Sequence, residues 1–132
     1  MTLNLRNFCL DCVEYYTDIN SKWCKCNSQQ FQQDFSNWTS KNGFVDRFIQ
    51  ETQLNAKHNS EVLEWIPYNR LKNIKYLIKE ESGIVNRAIW SNGPIKEWSN
   101  NERKWIRYNN EIVAFKNLDN SLNSSKEFLN KV

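Results

Sequence analysis

The four cysteines of this 132-residue chain all lie within its first 26 residues. Cys9 and Cys12 enclose two residues, eleven residues follow, and Cys24 and Cys26 enclose one. Two thiolates presented by one tight turn can occupy two corners of a tetrahedral Zn²⁺ site, and a second pair completes it. The spacing therefore predicts a zinc site formed by all four cysteines, although zinc ribbons usually have two residues inside each pair. The alternative is four reduced, partly buried thiols.

The composition favours a folded chain in a reducing compartment. Aromatic residues make up 14% of the sequence, whereas disordered chains usually contain few. Residues 1–20 lack the continuous apolar run of a secretory signal peptide, and no stretch approaches the roughly 18 apolar residues of a membrane span. We therefore expect a cytoplasmic or nuclear protein without a membrane partner, whose cysteines bind metal and do not form disulfides.

The charge distribution argues against a nucleic-acid partner. The net charge is only +3, and residues 1–60 carry six basic and six acidic residues. Residues 61–132 carry twelve basic and nine acidic residues, and no basic block stands out. Because the affinity of a protein for nucleic acid depends on clustered Lys and Arg side chains, this pattern does not favour that function.

The segment after the cysteines has the periodicity of two short helices. Phe31, Phe35 and Trp38 recur at i, i+4 and i+7, which places them on one helix face. Residues 39–43 interrupt the pattern, and a second apolar stripe begins at Phe44, for which Asn42 is a suitable N-cap. We therefore predict an αα-hairpin within residues 29–60.

From Val62 onward the sequence favours strands separated by recurrent turn signals. This pattern predicts a five-stranded antiparallel meander, with Ser91-Asn92-Gly93 as one of its hairpin turns. Trp98 and Trp105 would then face each other across adjacent strands. The predicted strands are 73–79, 84–90, 95–98, 103–108 and 111–117.

The end of the sequence predicts one more helix. Ser124 and Glu127 have the spacing of a capping box, which predicts a short helix that begins at Phe128. The sequence as a whole therefore predicts the α+β class. The three predicted parts are a small Cys-rich, zinc-ribbon-like head at 1–28, a helical segment at 29–60 and a β-rich part at 61–132.

Several short motifs resemble those of a known family. Val113-Ala114-Phe115-Lys116 is similar to the V-A-I-K motif of protein kinases, and Gly83-Ile84-Val85 is similar to the end of their Gly-rich loop. The runs FSNWTSKNGFVDRFIQETQLNA and LEWIPYNRLKNIKYL resemble a large fungal family of protein-kinase-like proteins with a Cys-rich N-terminal head. The resemblance covers nearly the whole chain. It implies that residues 61–132 are a partial kinase N-lobe and that the chain is a truncated member.

The resemblance also implies an ATP site, with departures from the family pattern. The residues carried over as nucleotide contacts are Lys116, Gly83, Val85 and Ala114, together with Ala88. Glu80 stands where the family has a glycine, which would bring a carboxylate toward the phosphates. Lys131 stands where a glutamate would pair with Lys116. Bound ATP is therefore expected to be weak or lost.

The sequence contains no H-R-D, D-F-G or A-P-E motif, although kinases need the first two for the catalytic base and the Mg²⁺ ligands. We therefore expect a non-enzymatic pseudokinase-like protein that binds a protein partner, associates with itself or has no role. One alternative is an ATP-binding kinase fragment. The other is a zinc-ribbon-like interaction module in the first 60 residues, where Tyr15, Tyr16 and Trp23 form either a contact surface or a small core.

Overall fold

The computed structural model describes residues 5–118 and 128–130. These residues form two α-helices, nine β-strands and four short 3₁₀ helices, which confirms the predicted α+β class. The helices are α1 (Lys25–Asp34) and α2 (Gly43–Asn55). The strands are β1 (Phe8–Cys9), β2 (Glu14–Tyr15), β3 (Glu64–Ile66), β4 (Leu71–Glu80), β5 (Gly83–Trp90), β6 (Ile95–Ser99), β7 (Lys104–Arg107), β8 (Glu111–Leu118) and β9 (Phe128–Asn130).

The chain forms two compact units, and each is drawn from two separate stretches of sequence. The first unit combines the residues up to Leu63 with Ile95–Arg107, so it holds the cysteines, both helices and the β6–β7 hairpin. The second unit combines Glu64–Pro94 with the residues from Tyr108 onward, so it holds the remaining strands from β3 to β9. The chain therefore contributes to the first unit twice.

Two helices form where the sequence predicted an αα-hairpin in residues 29–60, but their bounds differ. Helix α1 begins at Lys25, inside the predicted head, and ends at Asp34, and Trp38 has an extended backbone. The side-chain oxygen of Asn42 accepts hydrogen bonds from the backbone N–H groups of Phe44 at 2.9 Å and Val45 at 3.2 Å. The prediction of Asn42 as an N-cap is therefore confirmed. Neither helix in the described part of the chain has the length and apolar character needed to cross a membrane.

The core of the first unit is largely aromatic. Trp23, Phe31 and Ile95 are buried together, and Trp105 packs against them. The rings of Phe31 and Trp105 are stacked with centroids 4.4 Å apart, and Trp98 meets Trp105 edge-on at 5.1 Å. Trp98 and Trp105 are direct partners in the β6–β7 pair, which confirms the predicted cross-strand pair. The hairpin therefore packs against helix α1 through Trp105.

The second unit contains a three-stranded antiparallel sheet with strand order β4–β5–β8 and a separate β3–β9 pair. Its buried apolar residues form one cluster. They are Ile66, Leu71, Ala88, Trp90, Val113 and Phe115. Along β8 buried residues alternate with more exposed ones, as expected for a sheet that has one packed face.

The prediction of a single five-stranded meander is wrong. All five predicted strands form, but β5 pairs with β8, and β6 and β7 make a two-stranded sheet of their own. The physical reason is burial, because Ile95 and Trp105 of the hairpin are packed against the aromatic core of the first unit. Residues 91–93 therefore connect two different sheets and do not form the turn of a hairpin.

The predicted helix at the end of the sequence is also wrong. Phe128–Asn130 forms strand β9, which pairs antiparallel with Glu64–Ile66. The backbone groups of this segment form hydrogen bonds with the neighbouring strand β3. In a helix, they would have formed hydrogen bonds within the segment itself. The capping-box residues Ser124 and Glu127 lie outside the described residues, as does Lys131.

Candidate metal centre

The first cysteine pair lies in a tight turn between the short strands β1 and β2. The backbone N–H of Val13 donates to the Cys9 carbonyl at 2.9 Å, and Val13 has a left-handed conformation with φ of 60°. Cys9 and Cys12 are therefore presented by one turn, as their spacing predicted.

The second cysteine pair begins helix α1. Cys24 is the N-cap residue with an extended backbone, and its N–H donates to Asn27 Oδ1 at 3.1 Å. Cys26 follows in the first helical turn. Because the N-terminal end of a helix carries partial positive charge, it stabilises negative charge on both sulfurs. The one-residue spacing is therefore accommodated by the start of a helix.

All four sulfurs meet in one cluster. The Sγ atoms of Cys9, Cys12, Cys24 and Cys26 lie within 4.8 Å of one another. The Sγ atoms of Cys9 and Cys26 are 3.8 Å apart. Sulfurs that bind one tetrahedral Zn²⁺ at about 2.3 Å are separated by about 3.8 Å, so the cluster has the size that such an ion requires. The structure therefore brings together all four predicted metal ligands, and they could hold a metal ion.

Burial and hydrogen bonding shift the thiol pKa values in different directions. Burial alone would raise the pKa of Cys9, but hydrogen bonds, chiefly from the backbone of Cys12 and Asp11, lower it. Burial raises the pKa of Cys24, and it raises the pKa of Cys26 to about 11. Four thiolates without a cation are therefore unfavourable near neutral pH, and a divalent cation would supply the compensating charge.

A cavity of about 160 Å³ adjoins the sulfurs. Asn27 lines it from helix α1, and residues 97–101 line it from the β6–β7 hairpin. Asn100 in the hairpin donates a hydrogen bond to the Asp11 carboxylate, and its side chain acts to lower the pKa of Cys26 against the larger effect of burial. Reasoning from the sequence missed Asn27 and Asn100, because no local pattern connects a hairpin turn with cysteines in the first 26 residues. Asn27 could have been found as the third residue after a helix cap.

The three aromatic residues near the cysteines have different environments. Trp23 is buried in the aromatic core, so it is a core residue and not a contact residue. Burial, followed by charge repulsion from the ionised forms of Cys9 and Cys24, raises the pKa of Tyr16, which borders the cavity. Tyr15 is exposed and meets Phe8 edge-on at 5.2 Å. Of the three, Tyr15 offers its ring to solvent.

The residues expected to contact a nucleotide lie in the second unit. Pairing and alternation along β5 and β8 place four of them on one sheet face: Gly83, Val85, Ala114 and Lys116. On that face Lys116 Nζ lies 3.2 Å from Glu80 Oε2 in an ion pair. Ala88 lies on the opposite face, buried in the core. Four of the five predicted contacts therefore share a surface, and Ala88 does not.

Comparison of the chain with protein-family models, with curated proteins and with solved structures finds no match. The class of the protein is therefore described from its own fold and candidate site. It is an α+β protein of two compact units, and its first unit contains a tetracysteine candidate metal centre. The resemblance of its motifs to kinase-like proteins stays a prediction.

Proposed function

We propose that the protein is a non-catalytic binding protein whose first unit is held together by a structural zinc centre. The observation that carries this proposal is the meeting of four cysteine sulfurs within 4.8 Å. A Zn²⁺ ion with four protein ligands has no open coordination position, so it stabilises structure and does not activate water. Because the unfolded chain lacks the assembled site, the free energy of binding the ion contributes to folding.

Exposed apolar side chains beside the metal ligands support the binding role. Leu10 and Val13, in the turn that holds Cys9 and Cys12, are 69% and 67% exposed, and Tyr15 is 62% exposed. A bound ion would keep this turn rigid, so little conformational entropy would be lost when a partner binds. Apolar and aromatic side chains of fixed position are typical of protein contacts. We infer that the partner is a protein.

Native mass spectrometry of the purified chain tests the metal centre. We expect one Zn²⁺ per chain, and we expect Cys12→Ser to lose it, because a hydroxyl is a much poorer zinc ligand than a thiolate. Leu10→Ser changes an exposed residue of the same turn and should keep the ion, so it is the matched control. A wild-type chain that binds no zinc, or a Cys12→Ser variant with unchanged zinc affinity, would contradict the proposal.

Nucleotide binding by the second unit is a second candidate function. The shared sheet face of Gly83, Val85, Ala114 and Lys116 favours it, since one ligand could contact all four residues. The ion pair between Lys116 and Glu80 opposes it, because a phosphate would have to displace the carboxylate. We therefore place this function second.

A melting experiment with ATP and Mg²⁺ tests the second candidate. A ligand that binds only the folded state raises Tm by mass action. Nucleotide binding would raise Tm of the wild type, Lys116→Ala would remove this shift, and Lys72→Ala, a change at an exposed lysine of the same sheet, would keep it. The absence of a shift in the wild type would exclude this candidate. Phosphate transfer that is lost in Lys116→Met would contradict the non-catalytic proposal.

A further inference from the structure

The tip of the β6–β7 hairpin contacts the cysteine cluster. The side-chain nitrogen of Asn100 donates to Asp11 Oδ2 at 2.9 Å, in the turn between Cys9 and Cys12. Asn100 and Cys26 also line the same cavity. The side-chain oxygen of Asn100 accepts a hydrogen bond from Trp98 Nε1 at 3.0 Å. Because the oxygen is used within the hairpin, the orientation of the amide is fixed and its nitrogen faces the cysteines.

A second asparagine, Asn27, lines the same cavity from helix α1. Asn27 is 1% exposed, and its side-chain oxygen accepts from the backbone N–H of Cys24 at 3.1 Å. The same oxygen lies 3.8 Å from the Cys24 sulfur, with the thiol as donor. Asn27 therefore fixes the position of Cys24 through its oxygen.

The hairpin is attached to the rest of the first unit through its strands and through its turn. In the strands, Ile95 is buried with Trp23 and Phe31, and Trp105 stacks on Phe31. In the turn, Asn100 donates to the Asp11 carboxylate. The contacts of the strands need no metal, whereas the contact of the turn is made to the segment between two candidate metal ligands, Cys9 and Cys12.

We propose that Asn100 is an outer-sphere positioning residue of the metal centre and that metal binding holds the hairpin tip in place through it. This inference rests on the proposed zinc centre. One divalent cation and four thiolates leave a net negative site, so N–H donors from outside the ligand set stabilise the charge and fix the direction of the sulfurs. Metal binding and closure of the hairpin over the cysteines are then coupled.

Isosteric substitution separates the donor role of Asn100 from its other contacts. Asn100→Asp keeps the acceptor for Trp98 Nε1 but replaces the donating nitrogen with an oxygen that faces Asp11 and Cys26. We expect this variant to bind Zn²⁺ about 10- to 100-fold more weakly in competition with a chromophoric chelator. Lys104→Gln changes the charge of the hairpin by the same amount at an exposed position outside the cavity. We expect it to change the affinity by no more than about threefold, because an exposed charge is screened by solvent.

A spectroscopic measurement distinguishes positioning of the sulfurs from general loss of stability. With Co²⁺ in place of Zn²⁺, we expect the thiolate-to-cobalt charge-transfer bands of Asn100→Asp to move relative to those of the wild type and of Lys104→Gln. A purely structural role would lower the affinity without moving these bands. Identical spectra and equal affinities for the three proteins would overturn the inference.

Hydrogen exchange of the wild-type chain tests the coupling without any variant. We expect Zn²⁺ to slow amide exchange at residues 98–103 by at least about tenfold, because local opening of the tip would break a contact of the metal centre. Slowed exchange in the β1–β2 turn with no change at the tip would overturn the inference and leave the zinc centre intact. A wild-type chain that binds neither Zn²⁺ nor Co²⁺ would instead refute the proposed function on which the inference rests.

Discussion

The carboxylate of Asp46 holds the chain in place where helix α2 begins. It accepts hydrogen bonds from Thr39 Oγ1 at 2.6 Å and from the backbone N–H of Ser40 at 2.8 Å. Burial acts to raise the pKa of Asp46, but the hydrogen bonds from Ser40 and Thr39 outweigh it and lower the pKa. The negative charge also lies in the first turn of the helix, where the helix dipole stabilises it.

We predict that Asp46→Asn lowers the free energy of unfolding by about 1 kcal/mol at pH 7. Because the pKa of Asp46 is lower in the folded than in the unfolded state, its contribution is fully present above the unfolded value of about 4 and disappears as the pH falls through the folded pKa. Urea denaturation of wild type and variant between about pH 7 and 3 measures the difference. Glu51→Gln, at an exposed position of the same helix, is the control. A difference that does not shrink in acid would contradict the prediction.

Gly93 has a conformation and surroundings that exclude a side chain. Its φ is +71°, and a Cβ atom built on it would lie 1.7 Å from the carbonyl oxygen of Tyr108. We predict that Gly93→Ala destabilises the protein by at least about 2 kcal/mol, because the backbone must move. Gly43→Ala is the matched control, since a Cβ there meets no atom within 4 Å, and it should be neutral or slightly stabilising. Thermal denaturation of both variants checks the contrast, and equal Tm values would contradict it.

Among the elements, the β6–β7 hairpin decides the organisation of the first unit. It supplies Ile95 and Trp105 to the aromatic core around Trp23 and Phe31, and its tip contacts Asp11 in the turn between Cys9 and Cys12. The core of this unit is therefore completed by residues that are distant in sequence from the helices. Such non-local contacts form only after a long loop has closed, which costs entropy that the buried aromatic surface must offset.

We predict that Trp105→Ala lowers the free energy of unfolding of the zinc-loaded protein by about 3 kcal/mol, because it leaves a cavity next to Phe31. Trp105→Phe should cost less, about 1 kcal/mol, since it keeps a ring and loses only the hydrogen bond to Asp34 and part of the stacking. Phe44→Ala is the control, because Phe44 is 83% exposed and its removal should change stability by no more than about 0.5 kcal/mol. Similar losses for all three variants in chemical denaturation would contradict this order.

For the whole molecule, the separate cores of the two units predict an unequal response to metal removal. The cysteines belong to the first unit, whereas the sheet of the second unit has its own apolar cluster. We predict that a chelator greatly accelerates hydrogen exchange in residues 8–34 and changes exchange in residues 83–90 by less than about twofold. Exchange measured with and without the chelator checks this. Equal acceleration in both regions would show that the metal stabilises the entire chain.

The candidate site was predictable from the sequence only in its ligands. Two close cysteine pairs are visible as a local pattern, and the structure brings their sulfurs together. The contribution of Asn100 was not predictable, because Asn is an ordinary turn residue and nothing local marks its hydrogen bond to Asp11. The placement of the expected nucleotide contacts was likewise predictable only in part. Alternation along the strands puts Val85 and Ala114 on one face of the sheet and Ala88 on the other.

The sequence by itself determined part of the local structure: the helix start at Asn42, the positions of strands β4 to β8, the Trp98–Trp105 pair and the turn that holds Cys9 and Cys12. These features depend on side chains a few residues apart, or on one short hairpin, so periodicity and capping patterns reveal them. The tertiary structure alone decided that β5 pairs with β8 and that β6–β7 packs on the first unit. The reason is that the hydrophobic effect is non-directional and does not depend on distance along the sequence. Several segments far apart in the sequence can therefore bury the same apolar side chains.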